Sequence, residues 1–124
     1  MAVAFTDREL DVMEVLWADG SATVAEVRDR LSDDLAYTTV LTVLRTLEEK
    51  GHVEHREEGK AHRYFPRVAQ NAARQSALAR LVDRVFEGSA ELLLTQLVAD
   101  RDLTRKELER LRQVMDERLD RRKR

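Results

Sequence analysis

The sequence predicts a mainly α-helical fold that passes once through a small antiparallel β-hairpin. Three observations predict it. Capping boxes, a Thr followed three residues later by Glu, recur at Thr6–Glu9, Thr23–Glu26 and Thr104–Glu107, each ahead of apolar residues at helical spacing. Between them, "HVEHREEGKAHRYFP" at 52–66 alternates instead. Composition fits: 43% hydrophobic and 37% charged residues with only 5% aromatics leave Leu, Val and Ala to pack a thin core under much exposed helix.

The first capping box leads into Leu10, Met13, Leu16 and Trp17, and Asp19-Gly20 ends that helix. The second starts a short helix with Val24, Val27 and Leu31 on one side. Asp33-Asp34 marks a turn, and a third helix is expected from about Ala36 to Lys50, stopped by Gly51. A two-residue turn at Glu58-Gly59 would then set Val53 against Tyr64, His55 against His62, and Glu54 opposite Arg63 as a cross-strand ion pair. Pro66 closes the strand. Three short helices followed by a hairpin is the element order of a winged helix-turn-helix.

Residues 67–124 read as all helix. Ala73, Ala77, Leu78, Leu81, Val82, Val85 and Phe86 form one stripe, broken at Gly88-Ser89. Ser89 caps "AELLLTQLVA", and Leu108, Leu111, Met115 and Leu119 form a narrow seam in the last helix. The expected organisation is a winged helix-turn-helix over 1–67 and a helical dimerisation region over 68–124. Leu92, Leu93, Leu97, Leu108, Leu111 and Met115 are the expected dimer contacts, because the "LLL" helix points apolar residues in several directions at once. A compact monomer is the alternative. The terminal "RRKR" is expected to be disordered.

The third helix, "YTTVLTVLRTLEEKG", carries the functional signal. At about 100° per residue, Val40, Val43, Leu44 and Leu47 cluster on one side. Thr38, Thr42 and Arg45 lie on the other, with Thr39 and Thr46 beside them. Threonine is a mediocre helix former, so this face is not explained by helix propensity. Short hydroxyls and one forked donor suit a surface laid against base edges: a threonine methyl can meet a thymine methyl, and arginine can fork onto guanine. A merely solvated face is the alternative. On the hairpin, Lys60 and Arg63 are candidates for phosphate contact.

"LAYTTVLTVLRTLEEKGHVEHREEGKAHRYFP", with "LDVMEVLWADGSATVAEVRDRL" ahead of it, resembles the penicillinase-repressor family, also called BlaI/MecI/CopY. The resemblance implies a dimeric repressor of palindromic operator DNA controlling β-lactamase or other resistance genes. By position, Thr38, Thr39, Thr42 and Arg45 match the recognition-helix surface, and Lys60 and Arg63 the wing. The family often has arginine where this chain has Thr46; here it stands one residue earlier. In antibiotic-sensing members a membrane sensor protease triggers cleavage of the repressor, commonly between Asn and Phe. The matching pair here is Gln96-Leu97.

Other classes are weighed against this. No nucleophile–base set, glycine-rich phosphate loop or paired-acid motif is present, so an enzyme is not expected. Without cysteine there is no disulfide, no thiolate metal site and none of the clustered cysteines of copper-sensing relatives. No cofactor and no metal are expected. His52 and His55 fall on opposite faces of an extended strand, and a His55–His62 pair would make a weak site, though a metal- or ligand-responsive regulator using those wing histidines stays open. A protein-interaction module is the other alternative: residues 1–66 hold 8 basic and 14 acidic side chains, net −6, while 67–124 hold 14 and 10, net +4. A DNA-binding first half must therefore rest on a local patch. No apolar run approaches the roughly 18 residues of a membrane span, and "MAVAFTDREL" lacks a secretory pattern, so membrane insertion is not expected and the cytoplasm is.

Overall fold

The computed structural model describes residues 4–123. Their order is α1 (Asp7–Asp19), β1 (Ala22–Thr23), α2 (Val24–Arg30), α3 (Tyr37–Glu49), β2 (Val53–Glu58), β3 (Ala61–Pro66), α4 (Gln70–Val85), α5 (Ala90–Asp100) and α6 (Arg105–Arg122). The chain forms two compact units, one ending at Arg80 and the other beginning at Leu81.

All three capping boxes form. Thr6, Thr23 and Thr104 each accept from the backbone N–H of the glutamate three residues on, and each glutamate carboxylate accepts the cap residue's own N–H. Ser89 caps α5 through the Leu92 N–H. Gly20 and Gly51 end α1 and α3 at φ of +84° and +82°, a region that favours glycine.

In the first unit, Val12, Met13 and Leu16 of α1, Val24 and Val27 of α2, and Val40, Leu44 and Leu47 of α3 close over Val53 and Tyr64. Burying each of these aliphatic chains is worth about 1.5–3 kcal/mol. Trp17 packs edge-on to Phe5 and donates its Nε1–H to the Val68 carbonyl at 2.8 Å, tying the segment after the hairpin back to α1.

The sheet departs from expectation twice. It has three strands, ordered β1-β3-β2: the two-residue β1 pairs antiparallel to β3, with Ala22 opposite Tyr64 and Thr23 opposite Arg63. The hairpin register is also shifted by two residues. Val53 pairs with Pro66, Glu54 with Phe65 and His55 with Tyr64, and the turn is Gly59-Lys60. The reason lies in the turn. A Glu58-Gly59 turn of the I′ type needs positive φ at both residues, whereas placing glycine first needs it only at Gly59, whose φ is +62°. Because the shift is even, every side chain keeps its sheet face. The expected Glu54–Arg63 pair does not form; Glu54 lies 3.5 Å from Arg56 instead.

In the second unit Leu93 is buried at 8% exposure, whereas Leu92, Leu97, Leu108, Leu111 and Met115 are all exposed. Leu94, Leu97 and Val98 of α5 with Leu108, Leu111 and Met115 of α6 line an open groove of about 830 Å³. The expected disorder of the basic tail is corrected for its first residues. Arg121 and Arg122 continue α6, where cations at a helix C-terminus are favoured, and Lys123 caps it; Arg124 lies outside the described residues. Among the described residues no helix is long and apolar enough to cross a membrane.

Candidate nucleic-acid interface

The third helix has the two faces its sequence predicts. Val40, Leu44 and Leu47 are fully buried, and Thr38, Thr39, Thr42 and Arg45 are exposed, with Thr46 half-buried. The threonines are less free than a solvated face would leave them. Thr42 Oγ1 donates to the Thr38 carbonyl at 2.9 Å, and Thr46 Oγ1 to the Thr42 carbonyl at 3.0 Å. Their hydroxyl protons are thus turned back along the helix, leaving oxygen lone pairs to accept from outside. Tyr37, at the first turn and 43% exposed, extends the same polar end; no periodicity argument singled it out, because an aromatic at a helix start reads as core.

The cations sort sharply. Of the eight basic side chains up to residue 66, six are ion-paired. Arg8 pairs with Asp33, Arg28 with Asp29, Arg30 with Asp19, Lys50 with Glu9, Arg56 with Glu54, and Arg63 with Glu58 and Glu26. Of these eight, Arg45 and Lys60 alone make no ion pair with a described residue. The segment up to residue 66, net −6, therefore keeps two uncompensated cations, one on the threonine face of α3 and one in the wing turn.

Arg63 is engaged where Lys60 is not. Its Nη2 lies 2.9 Å from Glu58, its Nη1 3.1 Å from Glu26 and 3.3 Å from Ser21 Oγ. Glu58, then Glu26, hold its pKa above the usual arginine value. The Glu26 carboxyl is held below its ordinary value, chiefly by the Thr23 backbone N–H and further by Arg63. Sequence reading could not reach this cluster, since two residues of β1 are too few to show alternation.

The wing histidines are placed by α3. His55 Nδ1 lies 2.6 Å from Glu48 Oε2, and the His55 backbone N–H donates to the same carboxylate at 3.2 Å. The His62 ring stacks on that of His55, centroids 4.5 Å apart and planes 17° apart. Stacked rings aim their in-plane nitrogens side by side rather than at a common point, which is poor geometry for sharing one ion. Among the described residues no group of three His, Asp or Glu could hold a metal. Beneath them Tyr64 is fully buried, and burial, with nearby Glu48 adding to it, pushes its phenol above the usual value.

The sequence profile of the family described as "Penicillinase repressor" matches residues 5–117. The chain belongs to the penicillinase-repressor family. Penicillinase repressors are DNA-binding transcription regulators and not enzymes, and so is this one. The penicillinase repressor of Bacillus licheniformis is 27% identical, covering 95% of this chain and 94% of that protein. The transcriptional regulator BlaI of Mycobacterium tuberculosis is 36% identical over 70% of this chain and 78% of its own. The solution structure of the DNA-binding domain of the repressor BlaI superposes with a TM-score of 0.51 at 32% identity, covering 58% of this chain and 93% of that domain. In this penicillinase-repressor chain α2 and α3 are the helix-turn-helix and β2–β3 the wing.

Proposed function

We propose that this chain represses transcription as a homodimer on a palindromic operator in the cytoplasm, with α3 in the major groove. The observation that carries the reading is the isolation of Arg45 and Lys60 as the two unpaired cations among the eight of the acidic segment up to residue 66, one on α3 and one in the wing turn. Arg45 forks onto a guanine, Thr38, Thr39, Thr42 and Thr46 offer acceptors and methyls to neighbouring base edges, and Lys60 meets a backbone phosphate. The α5–α6 groove supports pairing of two copies, because its leucines leave open an apolar surface of the kind another chain would cover. Two recognition helices then read half-sites about one DNA turn, or a multiple of it, apart.

The regulated genes belong to antibiotic resistance, as the names of the penicillinase repressor and the methicillin resistance regulatory protein MecI support. A sensor protease as partner has weaker support here. The Gln96–Leu97 bond lies inside α5, with Gln96 Nε2 hydrogen-bonded to Asp100 at 3.2 Å, so cutting needs the helix to open first.

The experiment is a mobility shift on DNA upstream of the protein's own gene, across a salt series with random DNA as competitor. Tight binding to a palindrome that weakens steeply with salt supports operator recognition. Salt-insensitive or sequence-blind binding would move the α3 face to a protein partner.

A further inference from the structure

We infer that Arg63 is a positioning residue that fixes the wing against the helix-turn-helix, and that it does not contact phosphate. The inference rests on the operator-binding reading above. Every nitrogen of the Arg63 guanidinium is already engaged. Nε and Nη2 donate to the Glu58 carboxylate at 3.1 and 2.9 Å, and Nη1 reaches Glu26 at 3.1 Å and Ser21 Oγ at 3.3 Å. Two carboxylates against one guanidinium leave the cluster at −1, so it presents a phosphate with no net positive charge. The side chain is only 24% exposed, less than either partner.

The three anchors belong to different parts of the fold. Glu58 ends β2 at the wing turn, Ser21 precedes β1, and Glu26 sits in the first turn of α2. Glu26 Oε1 also accepts the Thr23 N–H at 2.9 Å, closing the cap of α2, and Thr23 is the residue paired with Arg63 across β1–β3. Backbone ladder, helix cap and forked ion pair therefore converge on one point. α2 packs on the recognition helix through the shared core. Arg63 thereby sets where the wing, and Lys60 in its turn, stands relative to α3. Lysine could keep the charge but not hold carboxylates on two arms.

The test compares variants of the full chain on the duplex protected upstream of its own gene. Arg63→Ala and Arg63→Lys should each weaken operator binding by about three- to tenfold. The slope of log affinity against log salt should stay that of the wild type. Lys60→Ala should instead flatten that slope by about 0.9, the loss of one phosphate contact. Glu26→Gln keeps the helix cap, since glutamine serves a capping box. It also removes a negative charge, which by bulk electrostatics tightens DNA binding. Positioning predicts the reverse: Glu26→Gln weakens the operator complex, and adding it to Arg63→Ala changes nothing further. Amide exchange of the free protein should quicken in β1 and the wing of Arg63→Ala, with the helical core unchanged.

A flattened salt slope in Arg63→Ala, an unchanged affinity, or tighter binding by Glu26→Gln each overturns the inference while operator binding stands. A wild-type chain that binds no DNA overturns the operator reading, and with it the role on DNA. The exchange measurement then still reports whether Arg63 clamps the wing.

Discussion

The two units spend their apolar residues differently. In the first, Val12, Met13, Leu16, Leu44, Leu47 and Tyr64 are all essentially inaccessible, and α1, α2, α3 and the sheet cover one another. In the second, α6 runs 18 residues and buries none, and α5 buries Leu93 alone. The helix-forming signals are equally good in both: α6 has a complete capping box, as α1 does. What differs is whether one chain supplies the surface opposite. A stripe of leucines fixes where a helix must be covered and leaves open by whom. The first unit answers from within its own chain, and the second keeps an open groove.

That contrast can be broken by truncating each side. Leu44→Ala, at a fully buried site facing α1 and α2 across the core, should cost about 2–5 kcal/mol in urea or thermal unfolding. A loss under 1 kcal/mol would mean that the first unit is not the closed core described. Leu97→Asp combined with Leu111→Asp places two charges in the α5–α6 groove without touching that core. Sedimentation should show monomers, and operator affinity should fall about a hundredfold as the two half-sites lose their linkage. Circular dichroism of the first unit should be unchanged. A dimer that survives both substitutions would put the interface elsewhere.

The fold was legible wherever a local rule dominates. Capping boxes at Thr6, Thr23 and Thr104, the glycine stops at 20 and 51, and the two-faced pattern of α3 are each set by a few neighbouring residues. The misses share another cause. The hairpin register slipped because Glu58-Gly59 and Gly59-Lys60 are both plausible turns in sequence, and only the sign of φ at each position separates them. Strand β1 was missed because two residues carry no period. That register pairs Arg63 with Glu54; its actual partner Glu58 lies across the wing turn, and Glu26 reaches it only because β1 lies beside β3. The faces were readable, and the pairings between distant segments were not.

Arg45 sharpens the comparison from the DNA side. It belongs to the unit with the closed core, yet it takes no part in that core and has no ion pair among the described residues, so its removal should leave stability untouched. Arg45→Ala should cost about 1–3 kcal/mol on the operator, with relaxed preference at one base pair. An equal loss on random DNA would reduce it to a backbone contact.

The smallest expected effect tests how the closed unit tolerates the buried charge of Glu9. Glu9 is 4% exposed, closes the cap of α1 through the Thr6 N–H, and receives Lys50 Nζ at 2.9 and 2.8 Å. Burial alone would raise its carboxyl; the Lys50 ammonium and the Thr6 N–H outweigh burial and hold it below the ordinary 4.5. A folded-state value below the unfolded one means stabilisation that is complete above pH 4.5 and is lost as pH falls through the folded value. Lys50→Met keeps the length of the stem and removes the charge. Near neutral pH it should cost about 1 kcal/mol, because Glu9 stays buried with less compensation. Unfolding measured across a pH series should show wild type and variant converging as pH falls from 4.5 through the lower folded-state value, beneath which the carboxyl is protonated in both. A gap that stays constant with pH would assign the loss to packing of the Lys50 stem rather than to its charge. The oligomeric state should follow neither substitution nor pH in this window, since Glu9 and Lys50 both lie in the unit that covers itself.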